Sequence, residues 1–587
     1  MALGRSSKLI ILFSILLLLN ACSHSDIKSK DPDSKFGGIL KLTQRGQDAK
    51  TLNPWIATDA SSSQYGSMMF LGLLKFDPDT DQPLPLLAES FKISKDQKTI
   101  TVTMKENIFW SDDEEITVDD VLFTWNNLLR DQIAISMSRD IILVDGEFPE
   151  VKKLSKQTIQ FKTKTIFAPF LRNLGLEIAP KHHVLEHLRK ANAKTLKEQQ
   201  LAFNNYLNIH SKAEDIVCSG AFKFSKIQSG ERIEFVRNPR YFETDSETGK
   251  NLPYIDRIIY SYVQDDSADI FKFLSGESMI LGVSPNNAAF IKSMEKKYDY
   301  KLMDLGPSQA SNFIWFNMSK NIPEPKYSWF NSKAFREAVS LAIDRENIIN
   351  NVFQGLGSPL NTAFPDISPF YNPKVKVDPL AETSKALQVL KQAGFTLKTN
   401  PETKEKELYD SKSNRVEFDL FTNSGNKERE LMGVIISENL KEIGIKANFK
   451  LLEFNNFVGK IMSAKDYDAG VLGFSGGSSN EPNSGANVWN STGRLHAFDP
   501  KATQENPLTR SWEKEIDSIF SRGVKTMDFN ERKEIYDKFQ EIVFREKPFI
   551  YLATPRVFTA VSKDLGGIRK TKYAGIIPDL AKVYIKN

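Results

Sequence analysis

The chain has 587 residues, more than one hydrophobic core normally serves, so two or three lobes are expected. Hydrophobic residues make up 40% and charged residues 26%, which is ordinary for a soluble globular protein. The net charge of +4 becomes 76 basic against 74 acidic residues once Arg5 and Lys8 are set aside with the leader. This excludes the basic footprint of a nucleic-acid binder.

Residues 1–21 read as a leader. Arg5 and Lys8 precede the apolar run Leu9 to Leu19, which is too short for a dependable membrane span. Asn20-Ala21-Cys22 follows, and a short apolar run ending in Leu-x-Ala-Cys resembles a bacterial lipobox. Cys22 is then the lipidated first residue of the mature chain, and two or three acyl chains anchor it stably. Residues 22–35 are polar and read as a flexible tether. Cys218 is the remaining cysteine, so no disulfide is expected within the chain, and it reads as a small buried residue.

In chain order, Phe36 to Thr43 is a first strand. A polar loop from Thr58 to Ser63 follows, then an apolar helix through Met68, Met69, Phe70, Leu73 and Leu74. Thr99-Ile100-Thr101-Val102-Thr103-Met104 alternates strictly and predicts a strand with one wet face. Ser111 to Glu115 is a turn. Thr117 with Asp120 three residues on reads as a capping box. The helix that follows puts Val121, Leu122, Trp125, Leu128 and Leu129 on one stripe.

Ala88-Glu89-Ser90, Ile108-Phe109-Trp110-Ser111-Asp112 and Ile116 through Trp125 together resemble the signature of the family 5 extracellular solute-binding proteins. Where the family usually has Gly and Pro at the second turn, this chain has Asp113 and Glu115; Asp tolerates positive φ at modest cost. Pro180-Lys181-His182, the hairpin ending Arg237-Asn238-Pro239-Arg240-Tyr241, and Phe335 through Arg345 extend the likeness over nearly all of the mature chain. His182, His183 and His187 lack the spacing and the acidic company of a metal site, and no metal or other cofactor is expected.

The remaining elements alternate. A strand is predicted over 313–317, a helix from Ser332 that runs on through Asp344 to Gly355, and a helix over 381–393. Strands are predicted over 416–422 and 445–451, with a helix ending at Gly444 between them. A capping box at Asp528-Glu531 opens a late helix. Asp265 to Leu281 is expected as one helix.

The resemblance implies an α/β fold: a periplasmic-binding-protein-like class II clamshell of two mixed-sheet lobes plus a third, inserted lobe. It also implies these boundaries: lobe I from 36–78, 212–306 and 545–587, lobe II over 79–211, and lobe III over 307–544. It implies an ABC-importer receptor that is no enzyme. Its solute is an oligopeptide or another small solute held between lobes. Permease and ATPase subunits are its partners, a monomer is expected, and the lipid-anchored chain sits in the cell envelope, on the periplasmic or extracytoplasmic face of a bacterial membrane.

Tyr467 through Asn483 aligns with the family strand that enters the ligand cleft. There an extended peptide adds as a strand beside a Gly-aromatic pair, here Gly473 and Phe474. Asp59, Ser61, Gly473, Phe474, Ser475, Gly476, Asn480, Glu481, Asn487 and Trp489 are the candidate ligand-binding residues. Peptide-binding relatives carry an Asp three residues after the aromatic to pair with the peptide ammonium. Here the position is Gly477, or Ser478 if Glu481-Pro482 anchors the alignment. Neither carries charge, and Glu481 is a candidate replacement. Gly473-Phe474-Ser475-Gly476-Gly477 also fits the Gly-x-Ser-x-Gly nucleophile elbow, with His496 downstream. A serine hydrolase is therefore the rival reading, although the following residues make a poor helix. A surface lipoprotein without a transporter is the third.

Overall fold

The computed structural model describes residues 35–45, 48–136, 138–144, 146–474, 480–493, 495–499, 510–573 and 575–586. Cys22 and the leader lie outside them, as do Ser475, Gly476, Gly477 and Ser478.

The strand Thr99–Met104 forms with Ile100, Val102 and Met104 buried and its threonines at the surface. It is a central strand of a four-stranded antiparallel sheet, between Ala88–Ile93 and Thr158–Lys162, with Glu150–Lys153 outermost. Asp113 adopts φ +75°, so the turn survives without the family glycine. Thr117 caps the next helix: its hydroxyl accepts from Asp119 N–H at 3.2 Å, and Asp120 accepts from Thr117 N–H at 2.8 Å. The helix starts as an α-helix over Val118–Phe123 and widens to a π-helix over Thr124–Arg130. Trp125 is buried edge-on against Phe161 of the sheet.

A second sheet pairs the first strand, Ile39–Arg45, in parallel with Arg257–Val263. The hairpin Phe222–Gln228 and Arg232–Arg237 continues it. The apolar core below both sheets is continuous from Leu40 to Tyr262 and takes in Val561 to Val583. One apolar core therefore serves both sheets. Cys218 lies fully buried in it, and burial pushes its thiol up to about 12.

The other large body has a five-stranded mixed sheet. Its strand order is Lys446–Leu452, Glu417–Asn423, Ala469–Phe474, Ser311–Phe316 and Phe549–Tyr551. Its core runs from Phe313 to Ala553. Residues 549–551 pair with Phe313–Trp315 and so belong to this sheet.

Other expectations need correction. Ser61 to Ser63 are not loop: the helix is Ala60–Met69, and Leu73 and Leu74 lie beyond it. The helix from Ser332 ends at Ala342, because Ile343 is extended and Asp344 starts a second helix by accepting from Asn347 N–H at 2.8 Å. Arg345 then turns into the core and donates to the carbonyls of Tyr551 and Ser340. The helix expected to reach Leu281 stops at Leu274, where Gly276 takes φ +77°, and Ile280–Val283 is a strand.

The two bodies are joined where Tyr300–Pro307 runs on into Ser311–Phe316 and where Phe549–Tyr551 runs on into Ala553–Ser562. These two crossings lie side by side and bond to each other. Ser308 N–H donates to Pro555 O at 2.8 Å, Thr554 Oγ1 to Ala310 O at 2.9 Å, and Leu552 N–H to Asn312 O at 3.0 Å. Asn312 Nδ2 adds a buried bond to Ala553 O at 3.1 Å. Replacing Asn312 by Ala leaves that carbonyl without its donor. The expected cost is about 1–2 kcal/mol, read as a lower thermal midpoint of the apo protein.

Candidate functional site

Between the bodies lie adjoining cavities. One, of about 460 Å³, is walled by Phe70 to Phe76 and Pro169 to Glu177 on one side and by Glu481, Asn483 and Ser484 on the other. A second, of about 550 Å³, shares Phe76, Pro169, Arg172 and Glu481 with it and adds Asp81, Asn480 and Arg532. Both sizes suit a small ligand or a short extended chain. The bodies touch nearby, where Ala168 N–H donates to Val524 O at 2.6 Å.

The strand Ala469–Phe474 is paired unevenly. Along one edge Ser311 to Phe316 accompanies it throughout, with Asn312 opposite Gly473 and Ser311 opposite Phe474. Along the other, Glu417–Asn423 pairs only with Ala469 and Gly470, and the Thr422 hydroxyl then donates to Val471 O at 2.9 Å. Among the described residues, the stretch from Leu472 to Phe474 thus keeps one main-chain edge outside the ladder. Gly473 also answers a local demand: a Cβ there would lie 2.5 Å from Ser311 O and 2.6 Å from Asn312 Oδ1. Phe474 leans on Phe313, ring centroids 5.1 Å apart.

Asn480 lines the second cavity and hydrogen-bonds the Asp81 carboxylate across the gap. Burial raises the Asp81 pKa, Arg172 opposes that, and the nearby Glu481 charge adds to it. Glu481 lines both cavities but is already held: Arg532 donates to it through two nitrogens, at 2.9 and 2.5 Å. Both partners are buried. A carboxylate clamped by a bidentate guanidinium has little left for a ligand ammonium.

The other expected residues are placed elsewhere. Asp59 is the N-cap of Ala60–Met69, accepting from Ser62 N–H at 2.9 Å and Ser62 Oγ at 2.6 Å, and Ser61 is in that helix's first turn. Asn487 is exposed and lines neither cavity. Trp489 is a core residue, edge-on to Phe539 at 4.8 Å and Phe549 at 5.2 Å. His496 is 5% exposed, with Nδ1 on Val488 O at 2.9 Å and Nε2 on Glu513 at 3.2 Å. With both nitrogens engaged, it is not placed to activate a serine. His182, His183 and His187 separately meet Asp112, the Tyr206 hydroxyl and Ala202 O.

Several residues escaped the sequence reading. Arg532 lies 51 residues from Glu481, and nothing in the sequence couples them. Arg429 sits in the charged run from Lys427 to Glu430, which reads as a solvated helix start. In the fold it donates to Asn423 Oδ1 at 2.9 Å and lies 3.5 Å from where a Cβ on Gly473 would be. Glu177 did leave a trace: it is a charge between Leu176 and Ile178.

Removing Arg532 leaves Glu481 buried as a lone anion. Arg532→Met should destabilise the protein by about 3–5 kcal/mol, and Glu481→Met with Arg532→Met should recover most of the loss, as chemical denaturation of the wild type and the two variants would show.

The family model described as bacterial extracellular solute-binding proteins, family 5 Middle, matches residues 82–495. The chain is 27% identical over 558 residues to a probable ABC transporter-binding protein of Deinococcus radiodurans, covering 91% of this chain and 89% of that one. It is 26% identical over 585 residues to the oligopeptide-binding protein AppA of Bacillus subtilis, covering 95% of each. Its fold superposes on the substrate-binding protein CtaP of Listeria monocytogenes with a TM-score of 0.73 at 22% identity, over 94% of this chain and all of that one. The hydrolase alternative has no counterpart among these proteins. With the family matched across most of its length and the fold matched across both bodies, the chain belongs to the bacterial extracellular solute-binding proteins of family 5.

Proposed function

We propose that the chain is the solute receptor of an ABC importer and that its solute is an oligopeptide bound between the two bodies. The observation that carries this is the half-paired strand end at Leu472 to Phe474. An extended peptide laid along that edge gains main-chain hydrogen bonds that do not depend on its side chains. The full-length likeness to an oligopeptide-binding protein favours the same class of solute. Closure about the paired crossings then buries the solute and presents a joint surface of both bodies to a permease. ATP hydrolysis belongs to partner subunits.

The lipobox-like Leu-x-Ala-Cys supports anchoring through Cys22 on the periplasmic or extracytoplasmic face of a bacterial membrane. No helix among the described residues is long and apolar enough to cross a membrane. The receptor acts as a monomer in this reading, with the lobe boundaries given above, except that the pairing of 549–551 with 313–315 favours lobe I resuming after Ala553.

Titration of the protein with tetra-alanine in a calorimeter should give saturable binding, and the radius of gyration in X-ray scattering should fall on saturation. Gly473→Ala, whose Cβ would press on Ser311 O and Asn312 Oδ1, should displace the strand end and so weaken binding by about tenfold, with a lowered thermal midpoint as the mark of that clash. Saturating peptide that leaves the radius unchanged would count against a clamshell receptor.

A further inference from the structure

The 460 Å³ cavity has four charged side chains in its wall: Lys75, Arg172, Glu177 and Glu481. Three are matched. Lys75 pairs with Glu243 at 2.8 Å, Arg172 with Asp81 at 2.5 Å, and Glu481 with Arg532. Glu177 is not. Apart from its own backbone N–H, no donor among the described residues reaches its carboxylate.

Its position is nevertheless fixed. The Glu177 carbonyl accepts from Trp55 Nε1 at 2.8 Å, and Ile178 N–H donates to Leu71 O at 2.9 Å. Just before it, Gly175 lies against Gly72 so closely that a Cβ on Gly72 would sit 2.3 Å from Gly175 O. The segment is thus pinned to the cavity wall by main-chain contacts on both sides. Burial without a partner raises the Glu177 pKa, as expected of an anion removed from water before its counter-ion arrives.

We propose that Glu177 is the ionic specificity determinant of the site and pairs with a cationic group of the solute, foremost the free α-ammonium of a peptide. It supplies the charge that neither Gly477 nor Ser478 carries. The proposal rests on the peptide reading above and sharpens it: the solute enters this cavity with an amine end, and a blocked amine is rejected. A basic side chain near that end offers the same chemistry. The other wall charges, Lys75, Arg172 and Glu481, are neutralised in pairs, so ionisation of Glu177 decides the sign of the field there. Because its pKa is raised, the affinity for a cationic solute should fall as the pH drops through that pKa.

The test uses the full chain and four probes in calorimetry: tetra-alanine, N-acetyl-tetra-alanine, N-acetyl-Ala-Lys-Ala-Ala and putrescine. The wild type should prefer the free amine to the acetylated peptide by about ten- to a hundredfold, the range of a charge-assisted hydrogen bond. Glu177→Gln, nearly isosteric and expected to keep the thermal midpoint, should reduce that preference to within about twofold and flatten the pH dependence. Glu177→Lys should reverse it. A gain from the lysine peptide over the plain acetylated one, lost in Glu177→Gln, would assign the pairing to a side chain. A full preference retained by Glu177→Gln would overturn the proposal while leaving the peptide reading intact. Binding of putrescine alone, lost in Glu177→Gln, would overturn the peptide reading and keep the cation site. A wild type that binds none of the four would overturn both.

Discussion

The architecture depends on two strand crossings that run beside each other and are hydrogen-bonded as they pass between the bodies. Ser308 with Pro555, Ala310 with Thr554 and Asn312 with both Leu552 and Ala553 form a short ladder at the point of crossing. A ladder of this kind is stiff along the strands and compliant to bending across them. The two cores are built on separate sheets and can each remain packed while the angle between them changes. The gap between the bodies is therefore the soft coordinate of the molecule, and residues facing it are the ones free to serve a ligand.

That placement orders the charges. Across the gap the pattern is of pairs within each body: Arg172 with Asp81 on one side, Arg532 with Glu481 on the other. Pairing within a body keeps each wall intact when the gap opens, since no charge loses its counter-ion. Contact between the bodies is left to lighter bonds, such as Ala168 with Val524 and Asn480 with Asp81. Bonds of that strength do not hold the bodies shut against solvent, so a solute that fills the gap and bonds both walls can decide the equilibrium.

Local features were legible in the sequence wherever local chemistry determined them. Alternation over Thr99–Met104, the cap at Thr117 and the turn at Asp113 depend on neighbours within a few residues, and they appear as read. The family likeness was carried by the same local units in order. Reading failed where a distant partner overrides a local signal. The helix from Ser332 breaks at Ile343 because Asp344 caps anew and Arg345 reaches into the core for Tyr551 O, some two hundred residues away. Residues 549–551 join the five-stranded sheet because the strand Ser311–Phe316 offers an edge. At the site the contrast is sharper. Gly473 and Phe474 lie in a contiguous motif that a sequence displays directly. The pairing of Glu481 with Arg532, 51 residues on, and the capping of its own helix by Asp59 are settled by the fold.

The same distinction explains why solute identity is weakly written in the chain. Main-chain recognition at a strand edge needs only a glycine, a bulky neighbour and an absent partner, and it accepts any extended peptide. Selectivity must then come from groups that the fold leaves unmatched. Most charged side chains near the gap are matched, and a matched charge is nearly silent to a ligand at a few ångströms. Glu177 is left to a solute because Lys75 and Arg172, the cations that share its cavity wall, are engaged by Glu243 and Asp81. The specificity of this receptor is thus set as much by the pairs that withdraw from the ligand as by the group that meets it.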